Sequence, residues 1–411
     1  MRISTSAIAA LLASAIAAPA AAQYRSAPAP QPQQPATDSN AQAQAQGQVR
    51  PSKAAQNAIM ALQAAVNSND LAAVRTKAAE AQAVAATKED RYLVGQLQLK
   101  AGLTGNDMAL ASTGLDAIAA SGFLDSGKVA QLYSSLGIKS YNAKQYSEAA
   151  RMFERAATLN PRDIEALSFL GEAQFALGQK AQAAATLQRA VQASGARPPE
   201  AILKRAVAVA YEARVPAAAE LAQQWVTAYP NAESWRNSIA IYRNISRPDL
   251  EGTVDLLRLM RAAGALTSAS DLAMYLNALK EQSNFIEAQT AVASGRVDTS
   301  SSQIQALVAE VNSKPKVTAA DLNAAAKSAQ TGMALLRIGD RFYGLGDYRQ
   351  AIELYKQAQA RGADANLAKL RIGIALAGAG DKAGAIAALN SVGGTRAGIA
   401  KFWLLYLQGR G

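Results

Sequence analysis

One spacing of small and bulky residues occurs twice in this chain, and it constrains the fold more than any other feature. The first copy reads Tyr133, Leu136, Gly137, then Tyr146, Ala149, Phe153, Ala156 and Pro161. The second reads Leu335, Ile338, Gly339, then Tyr348, Ala351, Tyr355 and Ala358. Such a pattern describes two helices that touch along a seam. Gly137 and Ala149 fall where the helices come closest, so a side chain larger than a methyl group would force them apart. Tyr133 and Phe153 supply the bulk between layers. Asn160-Pro161 ends the second helix, because proline disfavours helical geometry in the residue before it.

The pattern continues into neighbouring sequence. Gly171, Ala183 and Ala190 follow Gly137, Ala149 and Ala156, and Gly373, Ala385 and Val392 follow Gly339, Ala351 and Ala358, each at an interval of about 34 residues. This resembles the tetratricopeptide repeat family over 130–197 and 332–399. Two departures stand in the best copy: Tyr133 replaces the usual tryptophan, and the second aromatic, Tyr141, lies one place beyond its usual position. The resemblance implies an all-α solenoid of stacked helix pairs that binds other molecules and has no catalytic chemistry of its own.

Composition agrees with that expectation. Half of the 411 residues are apolar but only 6% are aromatic, and alanine, the strongest helix former, dominates. Cysteine and histidine are both absent. This excludes disulfides, thiolate nucleophiles, histidine-based triads and the common zinc sites. The expectation is a non-enzymatic protein with no catalytic residues, no metal and no cofactor. A glycosidase would need only paired carboxylates, but no such pair stands out. The net charge of +11 is graded along the chain. Basic against acidic residues number nine to eight over 23–130, fifteen to twelve over 131–260, and seventeen to eleven over 261–411.

Met1 to Ala22 has the form of a secretory signal peptide. Arg2 gives a minimal positive start, Ile3 to Ala18 is apolar and uncharged, and Ala20-Ala21-Ala22 offers a cleavage site after Pro19. Residues 23–52 are rich in Pro, Gln and Ala and read as a disordered tether. No later stretch approaches a membrane span, and a periplasmic or secreted location follows. Further along, 53–129 reads as degenerate helical repeats and 130–197 as a clear repeat pair. Degenerate repeats follow over 198–295, a hinge or linker over 296–317, and a repeat pair with a capping helix over 318–411. Thr318 to Asp321 reads as a variant capping box.

Two surfaces are candidates for binding. In the family the first helix of each pair lines a concave groove where partner peptides lie. The resemblance places Gln131, Ser134, Ile138, Tyr141 and Asn142 there, followed by Glu165, Ser168, Glu172 and Phe175. The Lys/Asn set that clamps a peptide's C-terminal carboxylate is missing, since Ser134 and Ile138 hold two of its positions. Tyr141 and Phe175 could stack on an extended peptide or a sugar ring, or belong to ordinary packing between repeats. The second surface is a basic strip of Arg337, Arg341, Lys369 and Arg371, suited to an acidic glycan or polymer. For Arg337 and Arg371 the competing expectation is pairing with Asp340 or Asp364. Nucleic acid is not an expected partner of an exported protein. Gly378 to Gly384 lacks the spacing of a phosphate loop and reads as a turn, as does Gly344-Leu345-Gly346-Asp347 one repeat earlier.

Overall fold

The computed structural model describes residues 49–294, 299 and 301–409. The signal segment, the tether up to residue 48, residue 295, and residues 296–298 and 300 of the expected hinge lie outside the described residues. The chain divides into two compact units, one extending to Ala218 and the other beginning at Ala219. Among the described residues all regular structure is helical.

The first unit contains α1 (Gln56–Asn67), α2 (Leu71–Val84), α3 (Lys88–Thr104), α4 (Met108–Ser121), α5 (Ser126–Asn142), α6 (Tyr146–Leu159), α7 (Ile164–Ala176), α8 (Lys180–Ala193) and α9 (Glu200–Glu212). Each helix packs against its neighbours in sequence, and α1, α4 and α5 also reach the next helix but one. Aspartates account for many of the starts: Asp70, Asp107, Asp125 and Asp163 each accept the amide three residues on, as Thr87 does from Asp90. This satisfies an amide that would otherwise lack a partner at a helix N-terminus. Helices α6 and α8 begin without a side-chain cap; the chain turns into them through Lys144 (φ 60°) and Gly178 (φ 77°).

The seam expected from the repeat is present. A Cβ on Gly137 would lie 2.8 Å from the Phe153 ring, and one on Gly171 would lie 2.7 Å from Leu187. Gly339 against Tyr355 and Gly373 against Leu389 repeat the arrangement at 2.7 and 2.6 Å. Phe153 stacks on Phe169 of the next pair, centroids 5.3 Å apart, so the layers share one apolar seam. The array begins earlier than the tether's expected end. Ser52 donates from its amide and hydroxyl to Asp90 at 2.7 and 2.8 Å, fastening the chain to the N-terminus of α3.

Helix α10 (Ala217–Ala228) crosses the boundary between the units. The second unit continues with α11 (Ala232–Ser246), α12 (Leu250–Ala262), α13 (Ala269–Glu281), α14 (Phe285–Ala293) and α15 (Ser302–Asn312). It ends with α16 (Ala319–Ser328), α17 (Gly332–Leu345), α18 (Tyr348–Ala360), α19 (Ala365–Gly378), α20 (Lys382–Asn390) and α21 (Ala397–Gln408). Part of the region expected to be a hinge is therefore helix. Ile304, Leu307, Val308 and Val311 form an apolar stripe on α15, with Ile304 and Val311 buried in the core of the unit. The Thr318–Asp321 capping box is formed. Gly346 (φ 82°) and Gly380 (φ 84°) sit in the turns within their repeats.

This unit does not simply stack. Helix α14 packs directly on α17, and α21, at the end of the chain, packs on α12. Trp403 donates its ring N–H to the Asp255 carbonyl at 3.2 Å, and Tyr406 donates to the Ala262 carbonyl at 3.1 Å. Gly398 lies against the Tyr242 ring with no room for a Cβ. The unit's last helix thus closes onto its early ones.

Candidate functional site

In the first unit, the first helices of three successive pairs, α5, α7 and α9, bring one row of side chains together. Glu172 on α7 accepts two charge-assisted hydrogen bonds from Arg205 on α9, Nε to Oε1 at 2.5 Å and Nη2 to Oε2 at 2.6 Å. The same guanidinium lies 4.5 Å above the centroid of the Phe175 ring. Lys180 approaches that ring from the start of α8 while pairing with Glu212 at 2.7 Å. Tyr141, at the end of α5, meets Phe169 and Tyr146 edge-on, at 5.7 and 5.3 Å. Burial, then the Glu172 charge, pushes the Tyr141 hydroxyl above its ordinary value and keeps it a donor. Tyr141 and Phe175 are both half-buried, so each packs within the repeat and keeps part of its ring accessible.

The remaining groove residues divide by exposure. Gln131, Asn142 and Glu165 are exposed, and Ile138 is half-buried against the core. Ser168 is not available for binding: it is buried, and its hydroxyl donates to the Ile164 carbonyl at 2.7 Å. The Ser134 hydroxyl is buried with no partner among the described residues. A row of small residues at these positions lets successive pairs approach closely, and that closeness is what covers them.

The expected basic strip loses Arg371 to the interior, while Arg337, Arg341 and Lys369 stay partly exposed. Arg371 is fully buried, donating to Asp340 at 2.6 Å and to Asp255 at 3.4 Å and pairing with Glu251. Arg337 pairs with the other oxygen of Glu251 at 2.5 Å. A third cation, Arg258, was not foreseen; it forks onto Glu287 at 2.7 and 2.8 Å and reaches Asp255 and Asp340. Tyr275 and Tyr355 donate to Glu287 and Asp340 at 2.5 and 2.9 Å. Three arginines and four carboxylates thus form an ionic centre within the second unit. Burial outweighs the neighbouring arginines at Asp340 and raises its carboxyl; at Glu287 the fork from Arg258 outweighs burial and lowers it. Arg341 is half-buried, and Lys369 donates to the Ser391 carbonyl at 3.4 Å. The Asp340 pairing foreseen for these arginines is the arrangement observed, made by Arg371. No carboxylate or phosphate ligand can reach Arg371.

A signal for these pairs was present in the sequence. Opposite charges recur about one repeat apart: 33 residues separate Glu172 from Arg205, 32 Arg75 from Asp107, 35 Arg236 from Asp271, and 31 Asp340 from Arg371. Scanning for complementary charges at the repeat interval would have found Arg205 and removed Arg371 from the surface.

Tetratricopeptide repeat models match residues 141–206 and 336–394. One matched stretch falls in each unit. Repeats of this type generally mediate protein–protein interaction and scaffolding. No curated protein matches the chain in sequence. Among solved structures, one described as the functional characterization of Pseudomonas aeruginosa pilF is 16% identical, covering 56% of this chain and 91% of that one, with a TM-score of 0.26. A tetratricopeptide repeat protein from Parabacteroides merdae is 12% identical over 70% of this chain and 99% of its own, with a TM-score of 0.29. The TPR2AB domain of yeast Sti1 in complex with pHSP90 is 17% identical over 69% and 99%, with a TM-score of 0.19.

Proposed function

We propose that the protein is an exported, non-enzymatic scaffold that docks a segment of a partner protein on the α5–α7–α9 face of its first unit. The observation that carries this is the row of Tyr141, Phe175 and the Glu172–Arg205 pair across three successive repeats. Its aromatic rings are held rigidly yet remain partly accessible, and the guanidinium keeps donors beyond the two it gives to Glu172. Rigid aromatics beside a fixed charge pair suit an extended segment with both apolar and polar side chains. Export rests on the Met1–Ala22 pattern, and the proposed compartment is the bacterial periplasm.

The test is photo-crosslinking in the living cell with a benzophenone side chain in place of Gln131 or Asn142, both exposed on α5. A discrete protein adduct, lost in the Tyr141→Ala/Phe175→Ala double variant with helix content unchanged, is the expected result. Capture that survives the double variant would overturn the docking face. Mass analysis of the mature chain checks export, with Gln23 as the expected first residue.

A further inference from the structure

A cavity of about 510 Å³ opens in the second unit, between the ionic centre and helix α21. Its lining has two arginines, Arg258 and Arg261, and no carboxylate. Five aromatic residues, Tyr275, Tyr343, Tyr348, Trp403 and Tyr406, share the lining, and Tyr275 has given its hydroxyl to Glu287. This imbalance is unlike the rest of the unit, where Arg258, Arg337 and Arg371 are each matched by acids.

The two arginines are not equivalent. Arg258 spends its fork on Glu287, and its remaining bonds go to Asp255 and Asp340. Arg261 makes one long bond, Nη2 to the Thr290 carbonyl at 3.4 Å, and no ion pair with any described carboxylate. Its guanidinium therefore keeps a full edge of donors, enough for one bidentate anion. Its charge is felt inside the cavity: burial raises the Tyr275 and Tyr343 hydroxyls, and the Arg261 charge acts in the opposite direction, favouring a negative charge there. The aromatic donors are also divided. Trp403 and Tyr406 have given theirs to carbonyls of α12, which leaves them as apolar walls. Tyr343 and Tyr348 meet edge-on at 5.4 Å, and neither hydroxyl has a hydrogen-bond partner among the described residues.

We infer that this cavity binds a small organic carboxylate with a flat ring body, the carboxylate on Arg261 and the ring among Tyr343, Tyr348, Trp403 and Tyr406. A single free guanidinium fork matches a monoanion; a phosphate dianion would want a second cation, and Arg258 is already committed. The volume lies within the range of small-molecule sites. The site is separate from the proposed docking face and does not depend on it.

The experiment is titration calorimetry on the full chain with N-acetyl-L-phenylalanine, its neutral amide, and acetate. The acid should bind with a dissociation constant below about 1 mM, the amide at least about tenfold more weakly, and acetate not measurably. Arg261→Met should remove the difference between acid and amide, and Arg261→Lys should restore part of it, with the melting temperature followed in each. Tyr348→Phe, which deletes only an unpartnered hydroxyl, should weaken the acid several-fold and keeps the test decisive if the Arg261 variants fold poorly. Equal binding of acid and amide, undiminished binding by Arg261→Met, or no heat with any probe would overturn the proposal.

Discussion

The two units use the same repeat in different ways. In the first, side-chain bonds such as Ser52 to Asp90 and Glu172 to Arg205 reach about one repeat along the chain, 38 and 33 residues. In the second, Arg371 reaches Glu251 across 120 residues, and Trp403 reaches Asp255 across 148. The first unit is a stack in which each layer depends on its neighbours, as a repeat array should be. The second is a circuit, with charges at its centre and its last helix against its early ones. On the proposed reading the first unit offers a face to a partner, whereas at the centre of the second the arginines are taken up by the unit's own carboxylates.

Removing the closing helix should break this contrast most strongly. Truncation before Ala397 exposes the sites of Ile399, Phe402, Trp403 and Leu407, all buried, at about 1.5–3 kcal/mol each. The second unit should lose cooperative unfolding altogether, while removing α1 should only fray the first unit locally. Hydrogen exchange by mass spectrometry reads both, and a second unit that keeps its protection would show that the closure is dispensable. Next in size is Arg371→Met, which leaves Glu251, Asp255 and Asp340 short of a cation and should cost about 3–5 kcal/mol. Denaturant unfolding should show the second unit shifting and the first unchanged.

Matched glycine substitutions sharpen the comparison. Gly137→Ala and Gly339→Ala each drive a methyl group into an aromatic ring, at about 1–3 kcal/mol. The second should cost more, because Tyr355 also holds Asp340. Equal costs would mean that the ionic centre is not coupled to the helix seam.

The smallest effect is a difference in pH response. At Asp90, burial raises the carboxyl, but hydrogen bonds from Ser52 and Thr87 outweigh it and the net shift is downward. Its stabilisation is present above the ordinary aspartate value of about 3.9 and is lost as pH falls through the folded value. Asp340 is shifted upward by burial, so its contribution has the opposite sign: full below the ordinary value and lost as pH rises through the folded one. Acidification should therefore release 52–104 first, and Asp90→Asn, at a cost of about 1 kcal/mol, should remove that response. Amide protection measured by NMR between neutral pH and pH 3 checks it.

Much of the stack was legible in sequence because its rules are local. Gly137 and Phe153 sit sixteen places apart, and an aspartate before an apolar run marks a helix start within four residues. Helix α15 falls inside the stretch read as a hinge or linker, because the stripe of Ile304, Leu307, Val308 and Val311 is too short to stand out by its period alone. The fate of Arg371 was not legible from its own neighbourhood. Its partner Asp340 falls at the repeat interval, 31 residues away, but its burial also requires α12, whose Glu251 and Asp255 lie 120 and 116 residues away and leave no periodic trace. The groove residues were harder still, because exposure at Ser134 or Ser168 is decided by how closely the next repeat approaches.

The closure of the second unit also sets how the two halves can change over generations. A stack tolerates one more repeat, since a duplicated layer only has to match the layers above and below it. A circuit does not. An extra helix pair between α12 and α21 would carry Trp403 past the carbonyl of Asp255 and pull Arg371 away from its three acids. The first unit is therefore free to lengthen or shorten, while the second is held to a fixed number of helices.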